Sequence, residues 1–252
     1  PPPPPPPPPP LFQAEAGIRD LSLSLVGSEM CIRDRGSDDE SAEYVYVEHD
    51  HSQQVLDEII LWCRQKIPAR FAFDPVSDIQ VLTPMHKGLV GTIHLNQVLQ
   101  RVLNPNSDGI ALAGQQFKLG DKVMHLVNNY QKEVFNGDIG VIGEIDTANK
   151  AIGVDFEGRM VRYEAAEVHE LSSAYAISIH KSQGSEYPAE VIPLVTQHYA
   201  LLQRNVLYTA LTRARKLVVL VGSRRAVSMA VGRDQPSRRQ TWLAERLREY
   251  GM

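Results

Sequence analysis

The sequence predicts an α/β protein: a parallel β-sheet covered by helices and interrupted by a small antiparallel β-barrel. Three observations carry this. From about residue 43, strand-like apolar runs alternate with amphipathic helical stretches. Between residues 118 and 168 the rhythm changes to short alternating segments separated by Gly, Asp and Asn, the pattern of a small barrel. After that the strand–helix rhythm returns, so the barrel is an insertion rather than a second, trailing domain.

The elements follow in order. Tyr44 to Val47 reads as a short strand. "QQVLDEIILWCRQKIP" places Val55, Ile59, Ile60, Trp62 and Cys63 on one helical face, and Pro68 is expected to stop the helix. "DIQVLTPM" is a compact apolar strand ending at Thr83-Pro84. "GTIHLNQVLQRVLNP" is a second helix with Leu95, Val98, Leu99 and Val102 inward and Pro105 beyond its end. "KLGDKVMHLVNNY", "FNGDIGVIGEID", "AIGVDFEG" and "RMVRYEAAEV" form the barrel strands. "SSAYAISIH" and "PAEVIPLV" resume the parallel pattern, followed by the helical "RNVLYTALTRAR" and the strand "KLVVLVG". "RRQTWLAERLREY" spaces Trp242, Leu243, Leu247 and Tyr250 for a last amphipathic helix.

Composition excludes several classes. At 252 residues and 43% hydrophobic content, the chain is long and apolar enough for a substantial core. No apolar run reaches the length of a membrane span, so no membrane partner is expected. Cys31 and Cys63 have neither disulfide-framework nor metal-site spacing, which suits a reducing cytoplasm and predicts no metal site. The net charge of −4 argues against a wholly basic nucleic-acid binder. Eleven Arg and Lys residues nevertheless lie between Arg204 and Arg248, while the middle of the chain is acidic, so anion binding is expected to be local.

The first 36 residues read differently from the rest. Ten prolines open the chain, and a polyproline helix has no internal hydrogen bonds with which to build a core. Residues 29 to 35, "EMCIRDR", match the translation of a sequencing-library transposon end. The expectation is that residues 1–36 are adapter-derived and disordered, and that the native protein extends further upstream.

Three segments carry chemistry. In "SIHKSQGSEYP" an apolar strand gives way to hydroxyls, amides, a glycine and a carboxylate, the groups that hold phosphate and sugar where parallel strands end. Read as structure alone, it is a capped loop. In "NVLYTALTRARKLVVLVG", Val206, Leu207, Ala210 and Leu211 can pack inward and leave Arg213 at the helix end, where a guanidinium can neutralise charge on a transferred phosphoryl group. A surface salt bridge is the plainer reading for Arg213 and the preferred one for Arg215. In "VLTPMHKGLVGTIHLN", Thr83, His86, Lys87 and the backbone near Gly88 can follow a single-strand backbone, or simply make a strand-to-helix turn.

Together, "DIQVLTPMHKG", "FKLGDKVMHLVNNY…VFNGDIG", "AYAISIHKSQGSEYP" and "NVLYTALTRAR" resemble the C-terminal half of RecD-like DNA helicases of superfamily one, the family of the exodeoxyribonuclease V alpha subunit, from about Asp38 to about Leu247. The resemblance implies a RecA-like motor domain, 2A, made of residues 37–112 and 171–235. It also implies an inserted Src-homology-three-like barrel, 2B, at 113–170, and a C-terminal helix at 236–252. "SIHKSQGSEYP" is similar to motif V and "YTALTRA" to motif VI. By that likeness Arg213 is the γ-phosphate finger and the catalytic residue, and Gln183, Gly184, Glu186 and Arg213 form the nucleotide side. Thr83, His86, Lys87, His180, Lys181 and Ser182 would touch single-stranded DNA.

The implied activity is ATP-dependent 5'-3' translocation on single-stranded DNA in repair and recombination in the bacterial cytoplasm. The cofactor would be ATP with magnesium. No G-x-x-x-x-G-K-S/T phosphate loop occurs in the sequence, so the magnesium ligands and the other half of the nucleotide site are expected in an N-terminal motor domain, the principal partner of this piece. Without it the fragment is expected to be inactive. Exonuclease V subunits are a further implied partner. A non-catalytic nucleic-acid-binding module, a protein-interaction adaptor and the helicase part of a conjugative relaxase stay open as alternatives.

Overall fold

The computed structural model describes residues 43–106, 108–199 and 201–233. The expectations for residues 1–36 and for the final helix at 238–250 lie outside the described residues. A five-stranded sheet organises the fold. Its strands are β1 (Glu43–Glu48), β2 (Ile79–Thr83), β10 (Ala176–Ser178), β11 (Tyr187–Leu194) and β12 (Ala214–Gly222), in the order β1-β12-β11-β2-β10 and all parallel.

Strand alternation divides the core between the two faces. Val81, Val191 and Val219 face one side, under α1 (Ser52–Leu61) and α3 (Thr92–Leu103). Leu82, Ile177, Ile192 and Val218 face the other, under α4 (Arg204–Leu211) and α5 (Arg224–Gly232). Among the described residues no helix is long and apolar enough to cross a membrane.

Pro68 does not end the first helix. The chain passes from α1 through a π-helical turn at Trp62–Lys66 into α2 (Ile67–Phe71), with the Ile67 N–H donating to the Trp62 carbonyl. Proline lacks an N–H and crowds the carbonyl four residues back, and the wider turn accommodates both. The helix stops instead at Ala72, which takes the left-handed conformation at φ 55° and closes on the Pro68 carbonyl at 2.9 Å.

The insertion leaves α3 through a hairpin of β3 (Gly109–Leu112) and β4 (Gln115–Lys118). Its two-residue turn holds Ala113 and Gly114 at φ 50° and 78°, the positive pair a tight hairpin requires. β5 (Lys122–His125), β6 (Ile139–Asp146), β7 (Ala151–Phe156), β8 (Arg159–Glu164) and β9 (Leu171–Ser173) follow, paired antiparallel in the order β8-β7-β6-β5-β9. They curl around their own core of Phe117, Val123, Ile142, Val154 and Tyr163. No ladder joins β8 to β9 among the described residues, so the barrel is partly open.

"SSAYAISIH" is therefore two strands in two sheets. β9 closes the barrel against β5, and β10, three residues on, pairs with β2. Buried polar contacts lock the two sheets together at this crossing. Asp121 accepts from the Asn104 side chain at 2.8 Å, the Lys118 N–H at 2.8 Å and the Tyr175 hydroxyl at 2.9 Å. Lys122 donates to the Ile79 carbonyl at 3.1 Å, and burial lowers its ammonium to about 8.

At the far end of the sheet Gly222 leaves no room for a side chain. A Cβ there would lie 1.8 Å from the Leu194 carbonyl oxygen, and the Gly222 carbonyl accepts the Tyr46 hydroxyl at 3.0 Å. Gly222→Ala is expected to destabilise the fold by about 3 kcal/mol, read from the midpoint of urea unfolding. An unchanged midpoint would show that the β11–β12 ends separate freely.

Candidate functional site

The sequence-predicted site residues fall into two groups, one just beyond the ends of β2 and β10 and the other along the loop that descends to the start of β11. Ser178 is level with Thr83, so the loops after β10 and β2 leave the same edge side by side. Ala189 is level with Ile79, which puts Tyr187, at the start of β11, six residues below Thr83. That drop is about 20 Å, and the loop Ile179–Glu186 makes it, so Lys181 of the upper group stands only two residues before Gln183 of the lower one.

The upper group comprises His86, Lys87, His180 and Lys181, all exposed. Their loops are built to hold shape. Gly91 packs so closely that a Cβ would meet the Lys87 carbonyl oxygen at 2.5 Å, and Gly88 takes φ 95°. The first N–H groups of α3 are already used: Thr92 donates to Met85 O at 3.0 Å and Ile93 to His86 O at 3.2 Å. An anion at this edge would therefore meet side chains and not a free helix terminus. His86 Nδ1 lies 3.1 Å from the Thr92 hydroxyl.

Thr83 and Ser182, expected to touch the strand, are both fully buried. The Thr83 hydroxyl donates to Val90 O at 2.8 Å, and the Ser182 hydroxyl to Ile179 O at 2.7 Å. In this arrangement each braces the loop that carries its neighbours: Thr83 supports His86 and Lys87, and Ser182 closes the short 3-10 turn Ile179–Ser182 that presents His180 and Lys181. Such a hydroxyl is spent on the fold.

The lower group gathers where β11 and β12 begin. The Tyr187 N–H donates to the Arg213 carbonyl at 2.9 Å, tying the loop before β11 to the end of α4. The half-buried Arg213 guanidinium lies across that junction, donating to Thr209 O at 3.3 Å, Thr212 Oγ1 at 3.2 Å and Ser185 O at 3.5 Å. These bonds are long and all go to neutral acceptors, so the cation is positioned without being neutralised. Gly184, one residue before that carbonyl, has φ 90° and open space where a Cβ would stand. Gln183 is exposed beside it. Glu186 pairs with Arg215 at 3.1 Å, so the salt bridge preferred for Arg215 is present, and the exposed pair adds little stability.

Beneath this junction sits a residue the sequence alone does not single out. Glu190, in β11, is fully buried, and neither carboxyl oxygen has a hydrogen-bond partner. Burial raises its carboxyl to about 9, with the nearby Arg213 charge pulling weakly the other way. Tyr187 is buried alongside with its hydroxyl unpartnered, and burial pushes that group up to about 12. The available signal was a lone carboxylate inside the apolar run "PAEVIPLV".

The chemistry open to this arrangement is anion recognition. Arg213 and the Gly184 turn together fit one side of a phosphate-bearing group. The exposed histidines and lysines of the upper edge fit a polyanion lying across it. Among the described residues no three His, Cys, Asp or Glu side chains converge as metal ligands. A cavity of about 420 Å³ lies instead on the barrel, between Glu144, Asp146 and Arg162. It includes no member of either group, and Arg162 there is engaged by Asp146 and Glu164.

Residues 95–156 match the ATP-dependent RecD-like DNA helicase SH3 domain, and residues 173–221, which include the lower group and its loop, match the UvrD-like helicase C-terminal domain. The chain is similar to the ATP-dependent RecD2 DNA helicase of Deinococcus radiodurans, with 40% identity over 172 residues, 68% of this chain and 24% of that protein. It is also similar to the RecBCD enzyme subunit RecD of Mycolicibacterium smegmatis, with 30% identity over 183 residues, 73% of this chain and 32% of that subunit. The chain thus spans about a quarter to a third of the length of these curated relatives. Among solved structures, a Pif1 helicase from Bacteroides in complex with ADP-AlF3 and ssDNA is similar at 18% identity and a TM-score of 0.44, over 79% of this chain and 50% of that one.

Proposed function

We propose that this RecD-like helicase chain supplies the second motor lobe, with its inserted barrel, of an ATP-dependent DNA helicase that moves 5'-3' along single-stranded DNA in the bacterial cytoplasm. In this reading residues 37–112 and 171–235 make the lobe and 113–170 the barrel. The observation that carries it is the docking of Arg213 against the loop Gly184–Glu186, inside the segment that matches the helicase C-terminal domain. An un-neutralised guanidinium held at the rim of a glycine turn suits a group whose task is to meet phosphate charge.

ATP, with magnesium, supplies the phosphoryl group whose transfer to water drives movement. This chain's residues would cover one side of it: Arg213 would meet the charge of the terminal phosphate, Gly184 would let the backbone approach, and Gln183 and Glu186 would serve the sugar. The phosphate loop and the magnesium ligands come from the first motor lobe, and this chain alone is expected to hydrolyse no ATP. His86, Lys87, His180 and Lys181 hold the strand's backbone beyond the ends of β2 and β10.

The strand-binding half of the proposal can be tested on the 252-residue chain. Its affinity for a fluorescein-labelled dT15 oligonucleotide should fall with salt. Lys87→Ala and Lys181→Ala should each reduce the slope of log K against log salt by about 0.7, one phosphate contact apiece. Salt-independent binding, or slopes unmoved by both substitutions, would favour a peptide-binding adaptor instead.

A further inference from the structure

The loop between β5 and β6 ends in two aromatic rings that no packing requirement explains. Tyr130 is 76% exposed and Phe135 45%, with Val127 beside them at 45%. The rings meet edge to face, their centroids 5.9 Å apart. Single exposed apolar residues are ordinary on protein surfaces, but a paired and rigidly mounted set is not.

The mounting is specific. Asn129 and Val134 exchange backbone hydrogen bonds of 2.8 and 3.1 Å, closing the tip. The Asn129 side chain accepts the Lys132 N–H at 3.1 Å, and Asn128 accepts the Asn136 N–H at 2.9 Å. Asp138 accepts the Phe135 N–H at 2.8 Å. From β8, the Arg159 guanidinium donates to the carbonyls of Lys132 and Glu133, the latter residue held at φ 51°. The rings are therefore presented on a closed and braced turn, which lowers the entropic cost of using them to bind.

The feet of the loop share a core with the basic edge. Leu126 and Ile139 pack against the cluster that contains Ile177 and Ile179, and Ile179 directly precedes His180 and Lys181. The aromatic turn and the basic upper edge thus rise from one piece of core. The turn's own charges are already paired: Lys132 with Glu167 at 2.7 Å and Glu133 with Arg159 at 3.6 Å. A neutral aromatic surface beside a basic edge suits a ligand with alternating apolar and anionic parts.

We propose that Tyr130 and Phe135 form a base-stacking platform for single-stranded nucleic acid, continuing the path begun by His180 and Lys181. This rests on the strand-binding reading above and assigns the bases, where that reading assigned only phosphates. Every base has a π face, so such a platform is sequence-tolerant and insensitive to salt.

The test compares labelled dT15 with an abasic-spacer oligonucleotide of the same length, titrated with the 252-residue chain. Tyr130→Ala/Phe135→Ala should weaken dT15 binding about tenfold while leaving the abasic affinity and the salt slope unchanged. Tyr130→Trp should retain dT15 binding. Thermal melting of the alanine variant should match the native chain, because both rings are exposed. Native dT15 affinity in the double variant, or an equal loss on both oligonucleotides, overturns the platform and leaves the phosphate contacts standing. A native chain that binds neither oligonucleotide overturns both.

Discussion

Arg213→Ala, made in a protein that contains both motor lobes, is expected to lower ATP turnover by about a thousandfold or more while oligonucleotide affinity changes by less than about twofold. The asymmetry follows from the register. Arg213 stands where β11 and β12 begin, whereas His86 and Lys87 follow the end of β2, so removing one guanidinium leaves those cations untouched, and the backbone turn that presents His180 and Lys181 is closed by its own Ser182 hydroxyl. Arg213→Lys should recover little. A lysine has one ammonium for contacts now shared among Nε and two Nη atoms, and it cannot present a planar fork to phosphate oxygens. Steady-state phosphate release and fluorescence anisotropy, run on one preparation, measure the two effects together. Near-native turnover in the alanine variant would remove Arg213 from the chemistry.

Glu190→Gln should stabilise the chain, increasingly so as pH rises. A carboxyl whose folded pKa is raised favours folding below its unfolded pKa, and that contribution is lost as pH climbs toward the folded value. Here the window runs from 4.5 to about 9. Holding Glu190 protonated in the fold at pH 7 costs on the order of 3 kcal/mol at about 1.4 kcal/mol per pH unit. Glutamine keeps the shape and has nothing to ionise. The variant should match the native protein near pH 4 and melt about 10 °C higher at pH 8. Equal melting temperatures at both pH values would mean that Glu190 reaches solvent or a partner and ionises normally.

Much of the layout was legible because apolar period and punctuation coincide. "DIQVLTPM" and "KLVVLVG" are continuous apolar runs and became central strands, and Gly, Asn and Asp marked most barrel turns. Pro68 misled because local sequence does not announce a π-helical turn, which let the helix run past it. "SSAYAISIH" read as one strand because nothing in its pattern marks the change of sheet at Ala174 and Tyr175. α5 was missed: "RRAVSMAVG" is short, and its start depends on Ser223, whose hydroxyl accepts the Ala226 N–H at 3.2 Å. Site chemistry was legible as residue type but not as direction. Thr83 and Ser182 carry the right hydroxyls and turn them inward, while Tyr130 and Phe135, at the ends of two segments assigned to barrel strands, are exposed.

The position of β1 bears on how the chain reaches its native state. Among the described residues its one strand neighbour is β12, with Glu43 level with Leu217, so the first described strand waits for the last before it can pair. The barrel strands, by contrast, find all their ladders between Lys122 and Ser173. During synthesis the inserted unit can therefore complete its pairings while the surrounding sheet still lacks its middle, and pairings so distant along the chain make the outer sheet the slow step of assembly.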